Sequence, residues 1–531
     1  MRFVSLVLTS FAAWRSAYAQ CQEVTPAQFA GTPFANSLHT THALSNITFF
    51  KIRDPSGQHV CTSDPLSDLS LLTYLSLNSS GKRLENNAIK RLVIVVSGAN
   101  SDPWSYHQDM LNALQAMKDT SINTDNVEVL APYFANDNQA GTGFPYNASG
   151  TTADQKYPSP ALVWYATEWA GGANNQYPPR LRTVSAYDAL DQVVQYYGNK
   201  SIFPNINHIV VSGHSMGAQM LHRYAAVGKT RTQLGVGVPI SYYLGNPSSS
   251  TWFSNDRPLP TDRCASTYND WREGLSKYTA YGSAHSTNLT YNAALLAAGG
   301  DAVLANWRSK TVAHGRGIRD RGDYSEGLCA PYTTGKDRHE RFFKFAEWWP
   351  PACANPAGEG CHTIDFVNTT HNDKEMFNSP AGWARLFRDD FNGDGSKAYD
   401  FGYPRHQAGD DPFPDPSQLG LPLMDTDGTT YAGGKTHRGC YTDTDNAQTV
   451  AAFTVVGYTG DLNTRTYCAS VCTTKGYTIA GVRSTNCYCG NALGSQSIRV
   501  VTSSCEDKCP GDSSFCGSTT RVSVLSSVDL S

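Results

Sequence analysis

From about residue 45 to residue 390, short apolar runs alternate with stretches in which apolar residues recur at helical spacing. That alternation predicts an α/β fold, with a doubly wound, mostly parallel sheet and helices on both faces. The runs predict strands over 45–52, 91–97, 126–133, 206–212, 235–244, 311–319 and 362–368. Leu92-Val93-Ile94-Val95-Val96 and Ile209-Val210-Val211 are continuously apolar, as expected of central strands buried on both faces. Trp104–Lys118, Thr183–Tyr197, Met216–Val227 and Lys336–Trp348 have helical periodicity and no interior proline, and predict crossover helices. The segments 134–181 and 245–300 are too rich in Gly, Asn, Tyr and Pro for plain connections and predict insertions beside a cleft. Their aromatics, including Trp164, Trp169 and Trp271, together with Trp104, Tyr133, Phe134, Tyr242 and Tyr243 around them, are expected mainly in packing.

The periodicity ends near residue 402. Residues 402–436 are rich in Pro, Gly and Asp and predict a linker, which divides the chain into 20–401 and 437–531. At the other end, Met1-Arg2 precedes an apolar run to Trp14 and then Ala17-Tyr18-Ala19, the pattern of a secretory signal peptide over 1–19. The run is too short to span a bilayer, and no later stretch has the character of an integral membrane segment. Fourteen cysteines in an exported chain predict disulfides. Six precede the linker and eight follow it, so each part can close its own bridges, with Cys353 and Cys361 the expected local pair. Asn46, Asn78, Asn147, Asn199, Asn288 and Asn368 each begin an N-glycosylation sequon. A net charge of −4 over 531 residues, without a basic cluster, argues against nucleic acid as a partner.

The chemistry concentrates where the strand 206–212 runs into Gly213-His214-Ser215-Met216-Gly217 and then a helix. A strand, a G-x-S-x-G turn and a helix in that order place a serine hydroxyl clear of the backbone. A serine needs a histidine to take its proton and an acid to orient that histidine. Asp320 closes the strand segment 311–319, with Asp323 in the same loop as the competing acid, and His371 follows the strand 362–368. His314 and His339 are expected in structural or solvent-facing roles, and His214 beside the nucleophile. A tetrahedral intermediate needs backbone N–H donors. Met216 provides one, and the turn Ser97-Gly98-Ala99-Asn100 after the strand 91–97 offers Ala99 or Asn100 as the other.

The elbow, the Ser-Gly-Ala-Asn turn, Gly317-Ile318-Arg319-Asp320 and His371–Phe377 resemble the corresponding parts of the α/β-hydrolase superfamily over roughly 45–390. The resemblance implies a triad of Ser215, Asp320 and His371 and an oxyanion hole at Met216 and Ala99. Ser97 departs from it, standing where a histidine usually precedes the oxyanion glycine. The tail resembles the WSC domain in its Gly-Cys440-Tyr441 and Cys487-Tyr488-Cys489-Gly490-Asn491 elements, which implies binding of cell-wall polysaccharide. Tyr441, Tyr488 and Asn491 are candidate glycan contacts, although packing is the expected role of each. Asp390-Phe-Asn392-Gly-Asp394-Gly395 imitates the start of a calcium loop, but Phe401 stands where the closing carboxylate belongs, so a turn is expected. Neither metal nor cofactor is required. The sequence therefore points to a secreted serine hydrolase, most simply a carboxylic-ester hydrolase whose substrate is an ester of unknown identity. A silent hydrolase fold in a wall-binding protein, and a serine peptidase or depolymerase, are the alternatives.

Overall fold

The computed structural model describes residues 23–24, 42–53, 69–136, 147, 149–156, 161–178, 183–282, 288–320, 328–353, 359–396, 430–443, 455–494, 497, 499–500, 505, 507–512, 514, 516–518, 520–528 and 530. Residues 1–19, Cys21, Cys61, Asp323 and Phe401 lie outside these, as does most of 402–436. The chain divides into two compact units. One comprises Met1–Arg316, Gly322–Asp365 and His371–Arg405, and the other comprises His406–Ser531 with Gly317–Arg321 and Phe366–Thr370.

The first sheet has nine strands: β1 (Glu23–Val24), β2 (Ser45–Ile52), β3 (Leu69–Ser76), β4 (Arg91–Val96), β5 (Val127–Pro132), β6 (His208–His214), β7 (Ile240–Gly245), β8 (Thr311–Gly317) and β9 (His362–Val367), in the order β1-β2-β3-β5-β4-β6-β7-β8-β9. β1, β2, β3 and β5 pair antiparallel in succession, whereas β5-β4-β6-β7-β8 are parallel. This is the α/β-hydrolase strand order, with helices α1 (Pro103–Ala116), α2 (Ala186–Tyr197), α3 (Met216–Val227), α4 (Gly300–Arg308), α5 (Arg338–Trp348) and α6 (Asp373–Phe377) among its connections. The chain leaves β4 for β5 on one side and returns to β6 on the other. A crevice opens at the carboxyl ends of two strands where the order reverses in this way.

Burial explains which elements were legible. Every residue of β4 is buried, which is why its run is unbroken. β3 was not expected: its eight residues are likewise all buried, so Leu69–Ser76 shows neither alternation nor the β-branched composition that marks a strand. α4 was also unassigned and follows directly on the insertion 245–300. Of the aromatics named above, all but Trp104 are buried. Phe134 stacks on Trp169 at 5.7 Å, and the indole of Trp271 donates to the carbonyl of Gly171 at 2.7 Å. They are packing residues.

The second unit carries a seven-stranded sheet, β10 (Thr430–Tyr431), β11 (Lys435–Thr442), β12 (Val455–Thr459), β13 (Ile479–Arg483), β14 (Asn486–Gly490), β15 (Arg499–Val500) and β16 (Arg521–Ser526), with helix α7 (Arg465–Thr474). Ordered structure thus reaches upstream of His437 into the segment expected as linker. Disulfides Cys468–Cys487 and Cys472–Cys489 pin α7 to β14, and Cys440–Cys505 and Cys509–Cys516 close the remainder. The Sγ atoms of Cys468, Cys472 and Cys487 lie within 4.8 Å of one another, but all three are oxidised. In the first unit Cys264 pairs with Cys329 and Cys353 with Cys361. The bridges of the second unit supplement its small apolar core. No helix among the described residues is long and apolar enough to cross a membrane.

Beneath the sheet, His222, His314 and His362 cluster among aromatic rings. His314 lies 6.4 Å from each of the other two, and His362 is 4.0 Å from Trp307. Burial lowers all three pKa values, His314 to about 4 and His362 to about 3. The unfolded chain takes up these protons near pH 6.5 whereas the folded chain does not, so their contribution is present above that pH and is lost as pH falls toward 4. Urea titrations from pH 7 to pH 4 are expected to lose at least about 2 kcal/mol of stability, and His314→Leu is expected to flatten the slope.

Candidate active site

β6 ends at His214, and the next residue adopts φ 57° and ψ −121° before α3 begins at Met216. For a residue with a Cβ this is a strained conformation. It is held from both sides: the Ser215 N–H donates to the carbonyl of Gly245 at 2.9 Å, and the Ser215 carbonyl accepts from Gln219 at 3.0 Å. The flanking glycines are obligatory. A Cβ on Gly217 would lie 2.2 Å from the carbonyl oxygen of Val96, and one on Gly213 would lie 2.8 Å from the backbone of Gly217.

Ser215 occupies the N-cap position of α3, yet its side chain makes no capping bond. Its Oγ is instead 2.8 Å from Nε2 of His371. A serine cap is worth about 1 kcal/mol, and here the hydroxyl is turned to a base. The pair is separated by 156 positions in the chain and joined by the sheet, since His371 follows β9 and precedes α6. The His214 ring is buried and tilted at 43° to His371, with centroids 4.5 Å apart. Behind it, Nε2 of His214 lies 3.5 Å from the Asn246 amide, whose oxygen accepts from Arg316. His214 therefore packs against His371, one residue before Ser215.

Met216 is the first residue of α3, so its amide is one of those at a helix amino terminus, where negative charge is favoured. Ala99 is exposed in the turn after β4, and a Cβ built on Gly98 of that turn would fall 3.8 Å from Cβ of Ser215. Asp320 is buried, and its N–H turns back to the carbonyl of Gly317 at 3.1 Å. The preceding Arg319 N–H donates to the carbonyl of Thr369, which sets the end of β8 beside the segment leading from β9 to His371. His314 and His339 are both buried; for His339 this corrects the solvent-facing option.

Three side chains, Tyr106, Asp102 and Asp109, had no signal in the sequence. Tyr106 of α1 is buried, and its hydroxyl would lie 2.6 Å from a Cβ on Gly98. It receives a hydrogen bond from the Gly98 backbone, and burial keeps the phenol un-ionised. Two raised carboxyls lie nearby: burial pushes Asp102 up to about 6, and burial together with the neighbouring Asp373 carboxylate pushes Asp109 up to about 7. Lys374 stands 3.8 Å from Asp109. The cluster ties α1, which carries Tyr106, to α6, which follows His371. In the second unit Tyr441 and Tyr488 are buried, and Asn491 caps Thr478 with its side-chain oxygen. Among the described residues, the exposed large apolar groups there are Val456, Leu462, Tyr467 and Val528, with Tyr467 set edge-on to Tyr458 at 4.8 Å.

Among known families, the WSC domain matches residues 437–518. The C-terminal unit contains a WSC domain. A WSC domain-containing protein of Arthroderma benhamiae is 36% identical over 91 residues, which is 17% of this chain and 12% of that protein. The chain therefore spans only a small part of that relative's length. Among solved structures, LpqC, a poly(3-hydroxybutyrate) depolymerase from Bordetella parapertussis, covers 64% of this chain and 89% of its own at 14% identity and a TM-score of 0.37. The siderophore hydrolase EstB of Aspergillus nidulans covers 64% and 92% at 12% identity and TM-score 0.32. An S-formylglutathione hydrolase from Agrobacterium tumefaciens covers 64% and 94% at 12% identity and TM-score 0.31. The α/β-hydrolase assignment of the first unit rests on its own strand order.

Gly217→Ala is expected to destabilise the chain by roughly 2–4 kcal/mol, because a backbone oxygen rather than a movable side chain fills the space. Denaturant unfolding checks this, with Gly237→Ala, where no atom lies within 4 Å of the new Cβ, as the control.

Proposed function

We propose that the chain is a secreted serine hydrolase acting on carboxylic esters and directed to cell-wall polysaccharide by its WSC domain. The observation that carries this is the strained Ser215, turned away from its own helix and 2.8 Å from His371. In this reading His371 Nε2 takes the Ser215 proton as Oγ attacks the ester carbonyl, and returns it to the departing alcohol. Water then releases the acyl group by the same steps in reverse. Asp320 holds the imidazole in the tautomer that leaves Nε2 able to accept, and the amides of Met216 and Ala99 hold the oxyanion. Asp320 is preferred as the acid because it lies three residues beyond β8, the strand beside the one that leads to His371.

The remaining assignments follow from the same reading. Residues 1–19 are the signal peptide, and the hydrolase domain runs from 20 to 401. Asn46, Asn78, Asn147, Asn199, Asn288 and Asn368 are at least partly exposed and available for N-glycans. A glycan on Asn368 would stand three positions from His371, limiting the bulk of an approaching substrate. Polysaccharide would meet the exposed Leu462 and Tyr467 rather than the buried Tyr441 and Tyr488, since aromatic and apolar faces stack on sugar rings.

Ser215→Ala and His371→Ala are each expected to lower kcat on p-nitrophenyl esters by about 10⁴-fold or more with folding intact. Full turnover by Ser215→Ala would refute the assignment. In the same preparations, Leu462→Ser with Tyr467→Ala is expected to reduce retention on insoluble glucan, chitin or xylan and to leave soluble-ester turnover unchanged.

A further inference from the structure

At the opposite end of the sheet, the structure places a second serine, histidine and aspartate in line. β6 begins at His208, and Val210 of β6 pairs with Ser241 of β7. Alternate residues of a strand share a face, so the side chains of His208 and Ser241 emerge on the same side. His208 Nε2 lies 2.8 Å from Ser241 Oγ, and His208 Nδ1 lies 3.6 Å from Asp390 Oδ2. Asp390 is held in place within its loop: it adopts φ 52°, its N–H donates to the carbonyl of Ser396 at 2.6 Å, and its Oδ1 accepts from the Gly395 N–H at 2.6 Å. The segment that imitates a calcium loop is thus a turn presenting one carboxylate oxygen to an imidazole. The His208 imidazole facing it is the main reason the Asp390 carboxyl stays below its ordinary range.

All three side chains line one cavity of about 340 Å³, walled also by Ile240, Tyr242 and Val312 and rimmed by the Arg231–Glu359 ion pair. β6 is seven residues long, which puts this cavity about 20 Å from Ser215 at 3.3 Å per residue. It is a separate place on the molecule.

We propose that Ser241 is a second activated serine, open to acylation by small activated esters that enter this cavity. As the donor arrives, the Ser241 proton passes to His208 Nε2, Oγ forms the new bond to the acyl carbon, and the alcohol leaves with that proton. Asp390 balances the charge on His208 while it holds the proton. What this array lacks is a helix amino terminus: Ser241 lies within a strand paired on both sides, to β6 and to β8. One oxyanion donor is worth 10²–10³ in rate, so both formation and hydrolysis of the acyl group are slow. The site is one of stoichiometric modification, not of turnover.

The test uses the full chain carrying Ser215→Ala, so that it does not depend on the hydrolase reading, with diisopropyl fluorophosphate as the probe. Attack breaks the phosphorus–fluorine bond, forms a phosphorus–oxygen bond to Ser241 and releases the proton with fluoride. Peptide mass mapping is expected to find one adduct, on Ser241, growing over hours. It should vanish in Ser215→Ala/Ser241→Ala and slow at least tenfold in Ser215→Ala/His208→Gln. Asp390→Asn, which leaves the sheet ladder untouched, is expected to slow it by an intermediate factor, with thermal unfolding checking each fold. No adduct on Ser241, or an equal rate without His208, would overturn the proposal. Labelling of Ser215 in the unsubstituted chain is read independently of either result.

Discussion

The strained backbone of Ser215 is the constraint on which the rest of the site depends. A residue with φ 57° and ψ −121° persists only if its surroundings leave it no alternative, and those surroundings are specific. Gly245 takes its N–H, the first turn of α3 takes its carbonyl, and Gly213 and Gly217 permit β6, α3 and β4 to approach at distances no Cβ would survive. The approach of Gly217 to Val96 also brings the elbow against the turn at Gly98. One local conformation thereby sets the relation between the Ser215 side chain and the amides on either side of it.

The polar groups behind the site are arranged to hold rather than to react. His214 packs on His371 from below and reaches Asn246, which is anchored by Arg316 and by the backbone of Gly315. Met376 of α6 lies beneath, with its sulfur 3.3 Å from the Tyr243 hydroxyl, and Tyr106 fills the space beside Gly98. Each is buried, so the exposed His371 rests on a packed floor that fixes its ring relative to Ser215.

Much of this was legible along the chain, for physical reasons that differ by element. Strands buried on both faces wrote themselves as unbroken apolar runs at β4 and β6, and α3 was bounded to the residue because a G-x-S-x-G turn precedes it and a glycine follows it. β3 was missed because Leu-rich sequence without alternation does not distinguish a buried strand from a buried helix. Ser215 and His371 could be paired as candidates because chain order and strand order coincide from β6 to β9. Tyr106, Asp102 and Asp109 could not, since they matter through contacts that only the packed helix α1 creates. The pairing of Ser241 with His208 depends on the register between β6 and β7, and Asp390 joins them from a loop far along the chain. No local pattern carries that information.

The central claim is that Ser215 forms the covalent intermediate of ester hydrolysis. The most direct measurement is an acid-quenched reaction of the unsubstituted chain with p-nitrophenyl acetate, followed by peptide mass mapping. The account requires acetyl on Ser215, accumulating with the initial burst of p-nitrophenol and disappearing on the timescale of turnover. Turnover with no acetyl on Ser215, or with acetyl only on another residue, would contradict it.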